Sequence, residues 1–130
     1  MIIFGAGVIG EATLHACRAK GIRVDYFIDH RITGPVSGLD VYTLDVVKAN
    51  SFSVGSNGFY LTSPNIADMI APLEEAGFKN WHSCREVLAD FDISGIEFQS
   101  INGSNQTSKY STEHIKYLIS TCLHHHENYL

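Results

Sequence analysis

The chain has 130 residues, 45% of them hydrophobic and 18% charged, and a formal net charge of −5. That size supports one domain and is short for a six-stranded dinucleotide fold with a separate substrate domain. The acidic balance, with no Lys/Arg cluster, excludes nucleic-acid backbone binding as the main task. No apolar run reaches membrane-spanning length and none reads as a leader. With Cys17, Cys84 and Cys122 widely spaced and odd in number, the expectation is a cytoplasmic protein with buried, reduced thiols.

Residues 1–4 are wholly apolar, as a parallel strand covered on both faces requires. Phe4-Gly5-Ala6-Gly7-Val8-Ile9-Gly10-Glu11 follows at once and reads G-x-G-x-x-G. Gly5 permits a tight turn, Gly7 lets a pyrophosphate approach the backbone, and Gly10 lets the next helix pack closely on the sheet. That helix, over residues 8–20, would turn free N–H groups towards a phosphate and its small face (Ala12, Ala16, Ala19) towards the sheet. Gly21 stops it, and residues 23–28 form a second strand. Asp29 ends that strand 19 positions after Gly10, where the dinucleotide fingerprint places an acid to accept from a ribose.

A loop over residues 29–40 leads to a short strand at Val41 and Tyr42. Thr43 caps a helix over residues 44–50. Residues 51–58 carry an Asn57-Gly58 turn signal that suits a hairpin or a plain loop. A fourth strand spans residues 59–63. A helix then starts with Ser63 as cap and Pro64 as first residue, is interrupted by Pro72 and stops at Gly77. Residues 78–82 are a fifth strand, and Ser83 with Glu86 reads as a capping box for a helix to about Ala89. Ile96, Phe98 and Ile101 alternate like another strand. After a polar linker, Ser111 and Thr112 cap an amphipathic helix to about Glu127, with Ile115, Leu118, Ile119, Cys122 and Leu123 on one side. The expectation is an α/β, Rossmann-like three-layer fold with a mostly parallel sheet over residues 1–90. Residues 91–130 supply a strand, a linker and the C-terminal helix.

The glycine segment, residues 21–29 up to Asp29, Gly38-Leu39-Asp40-Val41-Tyr42 and Leu73-Glu74-Glu75-Ala76-Gly77-Phe78-Lys79-Asn80, in that order, resemble a small Rossmann-like module. It is the N-terminal module of bacterial surface-polysaccharide proteins: nucleotide-sugar dehydratases, sugar acyltransferases and associated methyltransferases. The resemblance covers about residues 1–90. It implies a module that binds NAD(P) or a nucleotide sugar and is usually attached to a separate catalytic domain. It implies ligand contacts at Gly5, Ala6, Gly7, Val8, Ile9, Gly10 and Asp29. The chain departs from the family at His30-Arg31-Ile32-Thr33, where further acids are usual. It carries no hexapeptide repeat, so no acyltransferase domain is expected in it, nor a second catalytic domain of any kind; the catalytic domain that such modules accompany would be a missing downstream one.

The residues add their own candidates. Thr62 and Ser63 lie at the carboxyl end of strand four, beside strand one, where open α/β sheets bind ligands. Asp29 favours NAD-like or uridine-type ligands over a 2′-phosphate, with His30 and Arg31 partly offsetting its charge. No tyrosine has a lysine four residues on, which removes the commonest reductase pair, and no catalytic residue is assigned. His82 and Cys84 read as a strand end and a first helical turn. Consecutive His124, His125 and His126 point about 100° apart on a helix and cannot chelate one ion together. Cys122 and His126, four apart, amount to half a zinc site, and no metal is expected. Three functions compete: a nucleotide or nucleotide-sugar binding module, an NAD-dependent enzyme of nucleotide-sugar metabolism, and an assembly module forming a homodimer through the helix over residues 112–127.

Overall fold

The computed structural model describes residues 1–49, 58–99 and 111–129. Its elements follow one another as β1 (Ile2–Phe4), α1 (Val8–Ala19), β2 (Tyr26–Ile28), β3 (Val41–Tyr42), α2 (Leu44–Ala49), β4 (Phe59–Leu61), α3 (Ile66–Glu75), β5 (Trp81–Ser83), α4 (Arg85–Leu88) and α5 (Thr112–His126), with a 3-10 turn at Glu127–Tyr129. The strands form a single all-parallel sheet in the order β3-β2-β1-β4-β5. This is a Rossmann-like α/β fold with a C-terminal helix. The chain leaves β1 towards one edge through β2 and β3, then returns beside β1 with β4, so the strand order reverses between β1 and β4.

Alternation along the strands makes the two outer layers. Ile3, Phe27 and Tyr60 point to one face, where α1, α4 and α5 pack. Ile2, Phe4, Tyr26, Ile28, Phe59 and Leu61 point to the other and meet Leu44 and Val47 of α2 and Ile66 and Leu73 of α3. The three central strands are apolar throughout because both of their faces are covered. The C-terminal segment is not a separate layer: Ile93, Phe98, Ile115, Ile119, Cys122 and Leu123 share one core with Ile3, Leu14 and Val87.

Several boundaries differ from the sequence expectation. The second strand starts at Tyr26. α3 starts at Ile66 rather than Pro64, because the Ser63 hydroxyl accepts from the Asn65 amide and forms a turn ahead of the helix. Pro72 sits inside α3 without ending it. Ala19 is exposed. Residues 96–98 form no strand; Phe98 is instead buried with its ring edge-on to His15, 6.4 Å away. Ile101, Asn57 and most of the 51–58 stretch lie outside the described residues. The capping box at Ser83 does not form. Glu86 pairs with His82 at 2.9 Å, and the Ser83 hydroxyl accepts from the Arg85 amide at 3.0 Å. Ser111 caps α5 as expected, accepting from the His114 amide at 3.1 Å. Among the described residues no helix is long and apolar enough to cross a membrane.

Candidate functional site

The glycine loop sits at the carboxyl end of β1. Gly5 has φ +109°, and a Cβ there would strike the Thr62 hydroxyl; a Cβ at Gly10 would strike the Gly5 carbonyl. Helix α1 therefore starts directly on the strand it follows, an approach that a glycine at position 10 alone permits. Gly7 differs: a Cβ there would meet nothing within 4 Å. Gly7 caps α1, and the first bond within the helix runs from the Glu11 amide to the Gly7 carbonyl at 2.9 Å. The amides of Val8, Ile9 and Gly10 precede that bond and are the donors a helix start presents to an anion. Gly7, Val8 and Ile9 are half-buried, whereas Gly5, Ala6 and Gly10 are buried.

Asp29 stands beside this loop and is already engaged. Its Oδ2 accepts from the Ala6 amide at 2.9 Å; its Oδ1 accepts from the amides of Arg31 at 2.8 Å and Ile32 at 2.9 Å. Burial works against the charge, but these three N–H groups and the Arg31 guanidinium outweigh it and hold the carboxyl below its ordinary value. A carboxylate oxygen accepts about two bonds, so Oδ1 is filled and Oδ2 keeps one position for an incoming hydroxyl. His30 is exposed, with its ring edge-on to Phe4 at 6.3 Å.

Thr62 and Ser63 lie at the crevice but serve the fold. The Thr62 hydroxyl donates to the Phe4 carbonyl at 2.7 Å, across the β1–β4 junction. The Ser63 hydroxyl holds the Asn65 amide, and the Ser63 carbonyl lies 2.6 Å from His126 Nε2. A carbonyl only accepts, so Nε2 carries a hydrogen. The other ring nitrogen, Nδ1, lies 2.7 Å from the Ser83 hydroxyl. The carboxyl ends of β4 and β5 are thus closed by α5 of the same chain.

Two features of the site escaped the sequence reading. Glu11 is fully buried in the first turn of α1, and its Oε2 accepts from the Ser37 hydroxyl at 2.6 Å and the Gln99 amide at 2.8 Å. It ties the loop before β3 and the segment after α4 to the glycine helix. An acid directly after the third glycine was the only signal, and it reads equally as a surface charge favoured by the helix dipole. The second is Cys84. The structure brings it to Cys122 and His126, with all three ligating atoms within 4.8 Å of one another and all three side chains buried. Cys122 is pulled down, first by the hydrogen bond from the Cys84 thiol and against burial, with His126 adding to it. Cys84 is pushed up by that same bond and by burial.

A concavity of about 400 Å³ lies between α4, residues 89–93 and α5, lined by Leu88, Phe91, Ile93, Ile119, Leu123 and Lys116 among others. It shares no lining residue with the glycine loop. Its lining also includes Arg85, Asp92, Ser120, His124 and Glu127, so it is mixed polar and apolar and its size suits a small ligand; the backbone donors of a helix start are found at the glycine loop instead. Comparison with protein-family models, curated proteins and solved structures gives no match.

Proposed function

We propose that the chain is a nucleotide-binding module whose ligand, NAD-like or a nucleotide sugar, sets its phosphates on the amides of Val8, Ile9 and Gly10. The observation that carries this reading is the open space beside Gly7, at the start of a helix that Gly5 and Gly10 press onto the strand. Packing alone accounts for Gly5 and Gly10. It gives no reason for the empty volume at Gly7, whereas an approaching pyrophosphate does. The resemblance to the N-terminal module of bacterial polysaccharide proteins agrees, as does the absence of a Tyr-x-x-x-Lys pair, so chemistry would come from a further domain or partner. Asp29 contributes less than the fingerprint suggests: one remaining position on Oδ2 suits a single ribose hydroxyl, with His30 at the rim.

Thermal unfolding with NAD, NADP, UDP and UDP-sugars tests this. One ligand class raises Tm, by an amount set by its concentration over Kd, and Gly7→Ala abolishes the rise. An undiminished rise in Gly7→Ala, or no rise with any nucleotide, would sink the reading. Asp29→Ala is the weaker probe, since it also releases the Ala6, Arg31 and Ile32 amides.

A further inference from the structure

We propose that Cys84, Cys122 and His126 bind one thiophilic divalent cation, zinc by preference, and that this ion fastens α5 to the carboxyl ends of β4 and β5. The inference is independent of the nucleotide reading, since the two sites share no residue.

Geometry comes first. Zinc bonds of about 2.3 Å to sulfur and 2.0 Å to nitrogen set tetrahedral edges of about 3.6 Å between S and N and about 3.8 Å between two S atoms. Cys122 Sγ lies 3.6 Å from His126 Nε2, and no ligand atom of the three is more than 4.8 Å from another. Cys122 and His126 sit one turn apart on α5, while Cys84 comes from the cap of α4, so ligands from two elements converge. The remaining corner needs about 1 Å of closure, within the reach of side-chain torsions.

Charge points the same way. Two thiolates and a neutral imidazole offset a doubly charged cation completely, which suits a site where all three side chains are fully buried. Binding releases two protons in all, one from Cys84 and one from the Cys122–His126 pair, and leaves the imidazole with a single proton that moves. In the metal-free chain that proton is on Nε2, facing the Ser63 carbonyl. With metal on Nε2 it must be on Nδ1, facing the Ser83 hydroxyl at 2.7 Å. A hydroxyl donates or accepts, so Ser83 satisfies either tautomer, and it stands where metal-bound imidazoles usually have their supporting partner. The Ser63 carbonyl, released from its hydrogen bond, is at hand as the fourth ligand, through its oxygen. Among the described residues, exposed His124 and His125 and buried Cys17 lie outside the group and serve as controls.

The test uses the full chain, reduced and stripped with a chelator, titrated with Co²⁺ and then Zn²⁺. A thiolate-to-cobalt charge-transfer band should saturate at a single equivalent and vanish when an equivalent of zinc is added. Cys84→Ser, Cys122→Ser and His126→Gln should each remove the band. Cys17→Ser and the double change of His124 and His125 to Ala should retain it. Ser83→Ala should weaken zinc binding about 10- to 100-fold. No band in the folded wild type, a band that survives Cys122→Ser, or a band lost with Cys17→Ser would overturn the site. Should a ligand variant not fold, ¹⁵N spectra of the wild-type imidazole decide the matter. His126 must switch from the Nε2–H to the Nδ1–H tautomer on adding zinc, and an unchanged tautomer refutes the proposal.

Discussion

The carboxyl end of β1 and the carboxyl ends of β4 and β5 belong to one sheet, side by side, and are finished in opposite ways. At β1 the donors are backbone amides, and the side chains nearby, Asp29 and Glu11, are turned inward to hold loops in place. The space beside Gly7 stays open. At β4 and β5 the partners are side chains of α5 of the same chain, whose Cys122 and His126 cover the Thr62 and Ser63 carbonyls and the Ser83 hydroxyl. An open half of a sheet needs rigid backbone donors, because nothing else fixes them before a ligand arrives. A closed half needs every polar atom partnered, because water cannot supply the missing bond.

The sharpest test of the open half is Gly10→Ala. Its methyl group would land on the Gly5 carbonyl, and the helix start has no room to move because Phe27 lies below it. Overpacking costs about 1 to 3 kcal/mol, occasionally more, and a clash with backbone belongs at the upper end of that range. Urea unfolding should show that loss as a lower midpoint at unchanged slope. A midpoint like the wild type would mean that helix and strand are not in contact there.

In the closed half, His126→Ala with chelator present should cost about 2 to 3 kcal/mol. It leaves the Ser63 carbonyl and the Ser83 hydroxyl without their buried partner and opens a cavity beneath α5. A loss under about 0.5 kcal/mol would place His126 at the surface and undo the contrast between the halves. Asp29→Asn probes what the open half keeps hidden. The amide nitrogen of Asn would oppose one of three backbone donors, at a cost of about 2 kcal/mol near neutral pH. The folded carboxyl lies below its ordinary value of 3.8. Its contribution is therefore complete above that value and is lost as pH falls through the lower, folded one. Wild type and Asp29→Asn should converge in stability under acid conditions. A constant gap down to low pH would show that the three hydrogen bonds do not depend on the charge.

How much of this was legible in the sequence follows the same division. Local signals gave the open half: an apolar run, glycines at fixed offsets, an acid at the next strand end, and hence the order of strands and helices. They could not show that Asp29 binds its own loop, because a free carboxylate and an anchoring one look alike without the Ala6 amide in view. The closed half depends on contacts 38 to 63 positions apart, such as Ser83 with His126 and His126 with Ser63, which no window of sequence contains. Cys122 and His126 announced themselves by helical spacing. Cys84 did not, since its place in the group is a consequence of where α5 lands. The same blindness explains the capping box: Ser83 and Glu86 have the right spacing, but Ser83 had a tertiary partner and Glu86 had His82.

The smallest effect is the most informative for the open half. Gly7→Ala should change stability by less than about 0.5 kcal/mol, because two opposing terms are of similar size. Alanine is a poorer helix cap than glycine, by up to about 1 kcal/mol, while replacing glycine removes freedom from the unfolded chain and returns about 0.4 to 1 kcal/mol. Neither strain nor a clash adds to this. Gly7 has φ −75° and ψ −165°, extended backbone open to any residue, and its new methyl would meet nothing. Gly10→Ala, three residues away and chemically identical, should be near the opposite extreme. If both variants were equally destabilised, the loop would be one packed unit with no room at Gly7, and phosphate would have no approach. If only Gly10→Ala is destabilised while Gly7→Ala keeps its Tm and loses the nucleotide-induced rise, the glycine at position 7 is there for a ligand and not for the fold.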